Sequence, residues 1–286
     1  MGYYVSLLDE RLTDAQFNML QNFIQKTTGI KMPYSKKIMV EGRLRKRLMI
    51  LKMGGFSEYI AYVFDPHNGG EESIYLIDAI TTNKTEFFRE TAHFDFMRKK
   101  AIPDILRRIS QRFDGQLKIW SAPCSTGEEA YSIAISLEEE KLCGLQISDF
   151  LIFATDISTA ALEIAGNGVY KLDSIKDISD TIKKRYFLKS KNERDLLVKV
   201  KPYIRKKCVF ERLNFMDDEY GIKEKFHIVF CRNVLIYFEK NVQHLIIERL
   251  LKYLDKGGYL FLGHSESLYG LDLPVKKTAP SVYVKI

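Results

Sequence analysis

Four cysteines in 286 residues, Cys124, Cys143, Cys208 and Cys231, lie far apart and form no C-x-x-C pair. Neither a zinc site nor a disulfide framework follows from that spacing, so no metal is expected and the thiols are expected to stay reduced. No apolar run approaches the roughly 20 residues of a membrane-spanning helix. The first residues carry Asp9, Glu10 and Arg11 in place of a signal-peptide pattern, which implies a cytoplasmic chain without membrane insertion. Met1, Gly2 and Ser6 match the myristoylation pattern, but so short a match is frequent by chance and carries little weight. Also missing are an internal repeat, a low-complexity tract, a Ser-His-Asp or Cys-His arrangement and a G-x-G-x-x-G turn.

What is present is an ordinary globular composition, 46% apolar, long enough for one large domain or two smaller ones. The formal charge is +7, and it is unevenly placed. Lys36, Lys37, Arg43, Arg45, Lys46, Arg47 and Lys52 face Glu41 alone within one stretch, leaving about one unit of net charge for the rest of the chain. The plain reading is a solvated helix face. The functional reading is a docking surface, centred on Arg43, Arg45, Lys46 and Arg47, for an acidic protein helix or a nucleic acid. On that reading, reversing the charges of Arg45 and Arg47 weakens partner binding and leaves cofactor binding alone.

The chain is organised around Leu117 to Leu137, LKIWSAPCSTGEEAYSIAISL. Leu117, Ile119 and Trp120 read as a strand covered on both faces, as in a parallel sheet. Ser125 and Thr126, followed by Glu128 and Glu129, form two overlapping capping boxes, so a helix is expected from near Thr126. Strand, small-residue turn and helix make the first unit of a nucleotide-type α/β fold, with its ligand over the strand's carboxyl end. A dinucleotide needs a glycine-rich turn for its pyrophosphate. Here the turn holds only Gly127, and two carboxylates stand where phosphate would sit. Unless they merely cap the helix, they favour a phosphate-free ligand carrying positive charge. S-adenosylmethionine, with its sulfonium and α-amino groups, fits.

The expected organisation is a helical basic domain over 1–75, a linker over 76–91 that contributes to the cleft, and an α/β domain over 92–286. Helices are expected near 13–28, 35–53, 57–64 and 71–80, then over about 92–111, 158–165 and 241–254. Thr81 to Glu90, TTNKTEFFRE, is rich in hydrogen-bonding side chains. Strands are expected at Phe150–Thr155, Phe210–Asn214, Phe226–Cys231, Tyr259–Leu262 and Ser281–Ile286, with Gly257-Gly258 turning the chain. A small β insertion at about 170–210 is expected to comprise Arg185–Leu188, Leu197–Lys201 and Lys207–Arg212. Its lysines either guard an open edge or frame one that binds a peptide strand. Asp156 ends the second strand, where an acid accepts hydrogen bonds from ribose hydroxyls. Glu128, Glu129, Asp156, Asn214, Arg232, Asn233 and Tyr237 should then share the carboxyl edge of a mostly parallel sheet.

The segments TTNKTEFFRE, WSAPCSTGEEAYS, FATDIS, FCRNVLIYF and GGYLFLGHSES occur in this order. With them the chain resembles the CheR-type chemotaxis receptor methyltransferases over essentially its whole length. The resemblance implies a Rossmann-like S-adenosylmethionine-dependent fold, its sheet mostly parallel with an antiparallel last strand, a small β insertion and an all-helical N-terminal domain. It implies methylation of glutamate side chains on the cytoplasmic helices of chemoreceptors, with S-adenosylhomocysteine as product. By motif position, Asn83, Thr85, Arg89, Glu129, Asp156, Asn214, Phe215, Arg232 and Asn233 would line the cofactor pocket. Arg89 and Tyr237 would lie beside the methyl group. Some relatives capture a receptor C-terminal peptide at the β insertion, which is left open here; nothing in the sequence demands more than a monomer, and no nucleic-acid partner is expected. Ala130 stands where the family usually has proline, and Pro123 replaces a small residue.

A glutamate carboxylate, with a pKa of about 4.3, is already ionised near neutral pH, so methyl transfer to it needs no general base. The alternatives are a nucleic-acid methyltransferase, a dehydrogenase and a non-catalytic adaptor. Amine methylases show Asn or Asp, Pro-Pro and an aromatic where this chain has Cys231-Arg232-Asn233-Val234, and Pro123-Cys124, the pair a cytosine methylase needs, falls in the cofactor turn.

Overall fold

The computed structural model describes residues 10–67, 69–109, 116–145, 147 and 149–286. The myristoylation pattern lies outside the described residues. The helical N-terminal part comprises α1 (Asp14–Thr28), α2 (Lys37–Leu51), α3 (Phe56–Val63) and α4 (Gly69–Ile80). Thr13 and Gln16 form a reciprocal capping box at the start of α1, and Gly29, at φ 71°, ends it in the left-handed conformation. Phe17, Leu20, Ile24, Val40, Leu44, Leu48, Phe56, Tyr59 and Leu76 bury the apolar stripes of the four helices against one another.

The basic residues of α2 are not mostly outward, as the sequence suggested. Arg43 donates to the carbonyls of Ala79 (3.2 Å) and Thr81 (2.8 Å), two acceptors left over at the end of α4. Arg45 donates to the Glu10 carbonyl (2.5 Å) and to Glu41 (2.7 Å). Arg47 forks onto Glu72 at 2.8 and 2.6 Å, lies 3.9 Å over the Tyr75 ring, and shares Glu72 with the Tyr59 hydroxyl. Glu41 and Glu72 are buried, and their charges are met by these arginines. Of the four expected docking residues only Lys46 is fully exposed. Arg47→Ala is therefore expected to lower unfolding stability by about 3 kcal/mol, because it strands Glu72. Urea unfolding measures this, and a wild-type midpoint would refute it. The Arg45/Arg47 charge reversal is likewise expected to unfold the helical domain rather than simply loosen a partner.

The remainder opens with α5 (Thr91–Phe96), which continues through a π turn at Met97–Ala101 into α6 (Ile102–Ile109). There follow β1 (Gln116–Ser121), α7 (Glu128–Leu142), β2 (Asp149–Asp156), α8 (Thr159–Asn167), β3 (Val169–Lys171), α9 (Asp180–Tyr186), β4 (Phe187–Lys189), β5 (Leu197–Val200) and α10 (Pro202–Arg205). The chain ends with β6 (Cys208–Arg212), β7 (Phe226–Cys231), α11 (Lys240–Tyr253), β8 (Leu254–Leu262), β9 (Val275–Ala279) and β10 (Val282–Lys285).

The main sheet has the order β6-β2-β1-β7-β8-β10-β9. Pairs from β6 to β8 are parallel and β10 runs antiparallel to β8. Leu117 and Ile119 face a core shared with α5, α6 and α7, while Trp120 enters the opposite core with Val229, Leu260 and α11. A sheet covered on both faces explains why β1 reads as an uninterrupted apolar run. It is a doubly wound, Rossmann-like sheet, and its strand order reverses between β1 and β7, where such folds bind ligands.

Several local expectations are corrected. Lys207–Arg212 and Phe210–Asn214 are one strand, β6, and it belongs to the main sheet beside β2. The small sheet is instead β3-β5-β4, with β3 unforeseen and Arg185–Tyr186 closing a helix. Three-residue strands carry too little alternation to be seen. Gly257-Gly258 lie inside β8, where the pairing jumps from Phe226–Leu254 to Ile228–Tyr259, so the glycines absorb a bulge rather than a turn. β9 was also unforeseen, its charged run Lys276-Lys277 being typical of an edge.

Candidate functional site

A cleft of about 1080 Å³, partly open to solvent, lies over the carboxyl ends of β1, β2, β6 and β7. It is lined by Asn83, Thr85 and Arg89 from the segment before α5, by Glu129 of α7 and by Asp156 at the end of β2. Asn214 and Phe215 enter from the loop after β6, and Arg232, Asn233 and Tyr237 from the loop after β7. The structure thus brings all ten sequence-predicted pocket residues to one place. Thr28, Ile30 and Lys36 of the helical part line it too. These three were missed, because nothing local in sequence reports that one domain closes over another's cleft.

The first turn is held by backbone. The Ala122 amide donates to the Phe230 carbonyl and the Cys124 amide to the Thr155 carbonyl, both at 2.8 Å. The Ser125 amide donates to Asp156 Oδ2 at 2.7 Å, with Ser125 itself at φ 50°. The capping boxes do not form: α7 begins at Glu128 with Gly127 as its N-cap and no side-chain cap. Gly127 has φ 94°, and a Cβ there would stand 2.8 Å from that of Ala165, so both conformation and space demand glycine. Thr126 hydrogen-bonds the Glu128 carboxylate instead (2.6 Å), whereas Glu129 turns to the cleft and accepts from Ser121 Oγ at 2.7 Å.

Asp156 is buried, and burial pushes its carboxyl up against the opposing bonds from the Ser158 and Ser125 amides. Those two donors aim the carboxylate. Asn214 donates to the Thr27 carbonyl at 2.7 Å and accepts from the Met216 amide at 3.1 Å, so its side chain ties α1 to the sheet.

Arg232 has a side chain only 1% exposed. It donates to Glu129 Oε2 at 2.8 Å, Glu90 Oε2 at 2.9 Å and the Arg89 carbonyl at 2.5 Å. Its charge is thereby committed to two carboxylates, which makes it a clamp on the cleft wall. Glu90 also accepts from Asn233 Nδ2 (3.1 Å) and the His264 amide (3.3 Å). Burial raises the Glu90 carboxyl, but the bonds from Arg232 and Asn233 outweigh it and hold the group at about 2.

Glu266 accepts the amides of Asn233, Val234, Leu235 and Gly263 at 2.6 to 2.8 Å. It sets the loop that presents Asn233, at φ 57°, and Tyr237. Neither Glu90 nor Glu266 was singled out from sequence. The signal was available for Glu266, an acid in a tight loop beside exposed backbone amides that need an acceptor.

Glu90, His93 and His264 place possible ligand atoms within 4.8 Å of one another. The Glu90 oxygens already serve Arg232 and Asn233, and burial together with Arg232 lowers His93 to about 4, keeping it neutral. The cluster is a junction between α5 and the loop after β8. Arg89, half-buried, donates to the Lys84 carbonyl at 3.1 Å and makes no ion pair among the described residues. Tyr237 ends a short 3-10 turn, its carbonyl accepts from the Lys31 amide at 2.8 Å, and Lys36 Nζ lies 5.4 Å from its ring centroid.

Comparison with known proteins returns two family models: "CheR methyltransferase, all-alpha domain" over residues 15–81 and "CheR methyltransferase, SAM binding domain" over residues 83–284. The chain is 34% identical over 278 residues to a chemotaxis protein methyltransferase of Borreliella burgdorferi, covering 97% of this chain and 96% of that protein. It is 35% identical over 272 residues to the chemotaxis protein methyltransferase of Salmonella typhimurium, covering 95% and 90%. Among solved structures, a DszA carbon methyltransferase matches at 14% identity over 86% of this chain and 50% of that one, with a TM-score of 0.37, a likeness too slight to argue from.

Proposed function

This chain belongs to the CheR methyltransferase family, and from that premise we propose that it moves a methyl group from S-adenosylmethionine to glutamate side chains on the cytoplasmic helices of chemoreceptors. The glutamate methyl esters would serve sensory adaptation in chemotaxis. The observation that carries this reading is the cleft's chemistry. An acidic first turn (Glu129) and Asp156 meet no glycine-rich phosphate cradle, and no histidine is among the described residues that line the cleft. That suits a cationic, phosphate-free donor and an acceptor already ionised at neutral pH.

Bound S-adenosylmethionine supplies a methyl activated by the adjacent sulfonium. The residues supply its placement. Asp156 accepts from the ribose hydroxyls, Glu129 faces the amino end of the methionine tail, and Asn83, Thr85, Asn214, Phe215, Arg232 and Asn233 wall the pocket. Arg89 and Tyr237 would stand beside the methyl group, Arg89 within the same cleft also being the cation available for the tail carboxylate and Tyr237 closing the methyl end. Turnover then rests on alignment and exclusion of water.

The division proposed is a helical domain over 1–75, a linker over 76–91 that contributes to the cleft, and a catalytic domain over 92–286. The outer edges of β3 and β4 have no strand partner among the described residues, and one of them is proposed to take a receptor C-terminal segment in extended form. A cytoplasmic monomer is the proposed working form. No helix among the described residues is long and apolar enough to cross a membrane.

The test is transfer from methyl-labelled S-adenosylmethionine to a chemoreceptor cytoplasmic fragment, followed by mild base. Label leaving as methanol identifies a carboxyl methyl ester, whereas base-stable label or transfer to nucleic acid contradicts the reading. Arg89→Ala and Tyr237→Phe are expected to lower kcat/KM by at least about tenfold with unchanged unfolding midpoints. Wild-type rates in both would remove them from the reaction.

A further inference from the structure

The cleft holds four basic side chains, Lys36, Lys84, Arg89 and Arg232. Arg232 is neutralised by Glu90 and Glu129. Arg89 donates to the Lys84 carbonyl and is the cation proposed above for the cofactor's tail carboxylate, and Lys84 is exposed to solvent. Lys36 remains. It is half-buried, makes no ion pair among the described residues, and stands at the start of α2, whose first turn has no side-chain cap. Its ammonium reaches over the Tyr237 ring, 5.4 Å from the centroid, so the helical domain delivers a cation to the methyl end of the cleft. Burial lowers its pKa, and nearby Arg43 adds to that, so an anion arriving there gains more than it would in water.

We propose that Lys36 receives the carboxylate of the glutamate to be methylated and holds it at the Tyr237 end of the cleft. The inference rests on the glutamate-methylating reading above and adds to it the group that recognises the acceptor. In the transfer, one carboxylate oxygen forms the new O–CH3 bond, the C–S bond breaks, and its electron pair remains on sulfur. No proton moves. The negative charge of the acceptor and the positive charge of the sulfonium both disappear, leaving a neutral ester and a thioether. Lys36 loses its counterion at that moment, which favours release of the modified side chain. It also accounts for the joining of a helical domain to the catalytic one: substrate charge is read from across the cleft.

The experiment uses the full chain, labelled S-adenosylmethionine and a receptor cytoplasmic fragment, comparing wild type with Lys36→Met and Lys36→Arg. Lys36→Met keeps the stem over Tyr237. It is expected to lower kcat/KM for the fragment by at least about tenfold, mainly through KM, with S-adenosylmethionine affinity within about twofold, while Lys36→Arg keeps most activity. In the presence of S-adenosylhomocysteine, wild type is expected to bind the fragment with glutamate at the acceptor position about tenfold more tightly than its glutamine counterpart, and Lys36→Met to lose that preference. Wild-type kcat/KM and an intact preference in Lys36→Met would overturn the assignment while leaving the proposed function standing. Equal loss of cofactor binding would reassign Lys36 to the cofactor. Absence of base-labile label with the wild-type protein would overturn the function and this inference together.

Discussion

Asp156→Ala is expected to weaken S-adenosylmethionine binding by roughly 100-fold, the loss of two hydrogen bonds to a charged acceptor at about 1.5 kcal/mol each or more. Asp156 ends β2, the neighbour of β1 on the side away from the switch of strand order, and the Ser125 and Ser158 amides fix its direction. The same amides bind the Gly127-containing turn to β2, so the alanine variant also leaves two donors unsatisfied. Asp156→Asn keeps the size of the side chain and removes the charge, and it should fall between the two. Titration calorimetry with S-adenosylmethionine reads the effect directly. Affinity within about threefold of wild type for Asp156→Ala would take the ribose away from this residue.

Arg232→Met is expected to cost about 3–5 kcal/mol of stability, the usual result of removing one partner from a buried ion cluster. Glu90 and Glu129 would both be left without their cation, on opposite sides of a guanidinium that is almost wholly enclosed. The deficit should depend on pH. In the wild type the Glu90 carboxyl is held down at about 2, so its contribution is complete above its unfolded value near 4.3 and is lost as pH falls toward 2. Burial pushes Glu129 the other way, with Arg232 opposing that shift. Without Arg232 both carboxyls are expected to titrate higher. The gap between variant and wild type should therefore be widest near neutral pH, narrow toward pH 4 as the variant's carboxyls become protonated, and close only as pH falls toward 2, where the wild-type Glu90 is protonated as well. Denaturant unfolding at pH 7 and pH 4 measures it, and an equal gap at both would place the origin elsewhere.

Asn83, Thr85 and Arg89 were named only by motif position, whereas the other pocket residues were legible because each follows a strand, and strand ends can be located from an apolar run and the polar residues that stop it. Glu129, Asp156, Asn214, Arg232 and Asn233 were all found in this way, and the cleft contains them. What each side chain does there was not legible. Arg232 and Asn214 look alike in sequence, polar residues after a strand, yet one clamps two carboxylates and the other ties α1 to the sheet. Glu90 is an ordinary acid until Arg232, 142 residues away, is placed beside it.

The sequence by itself determined the alternation of strands and helices, the parallel sheet, the preceding helical domain and the edge at which a ligand would sit. Those follow from periodicity and turn chemistry within some 20 residues, which are local. Tertiary structure alone decided which charges are free. Arg43, Arg45 and Arg47 read as an open basic face, but packing turned them onto carbonyls and buried carboxylates, while Lys36, unremarkable within the same run, was left at the cleft with no ion pair among the described residues. Charge pairing depends on contacts between distant segments, and no local pattern encodes it.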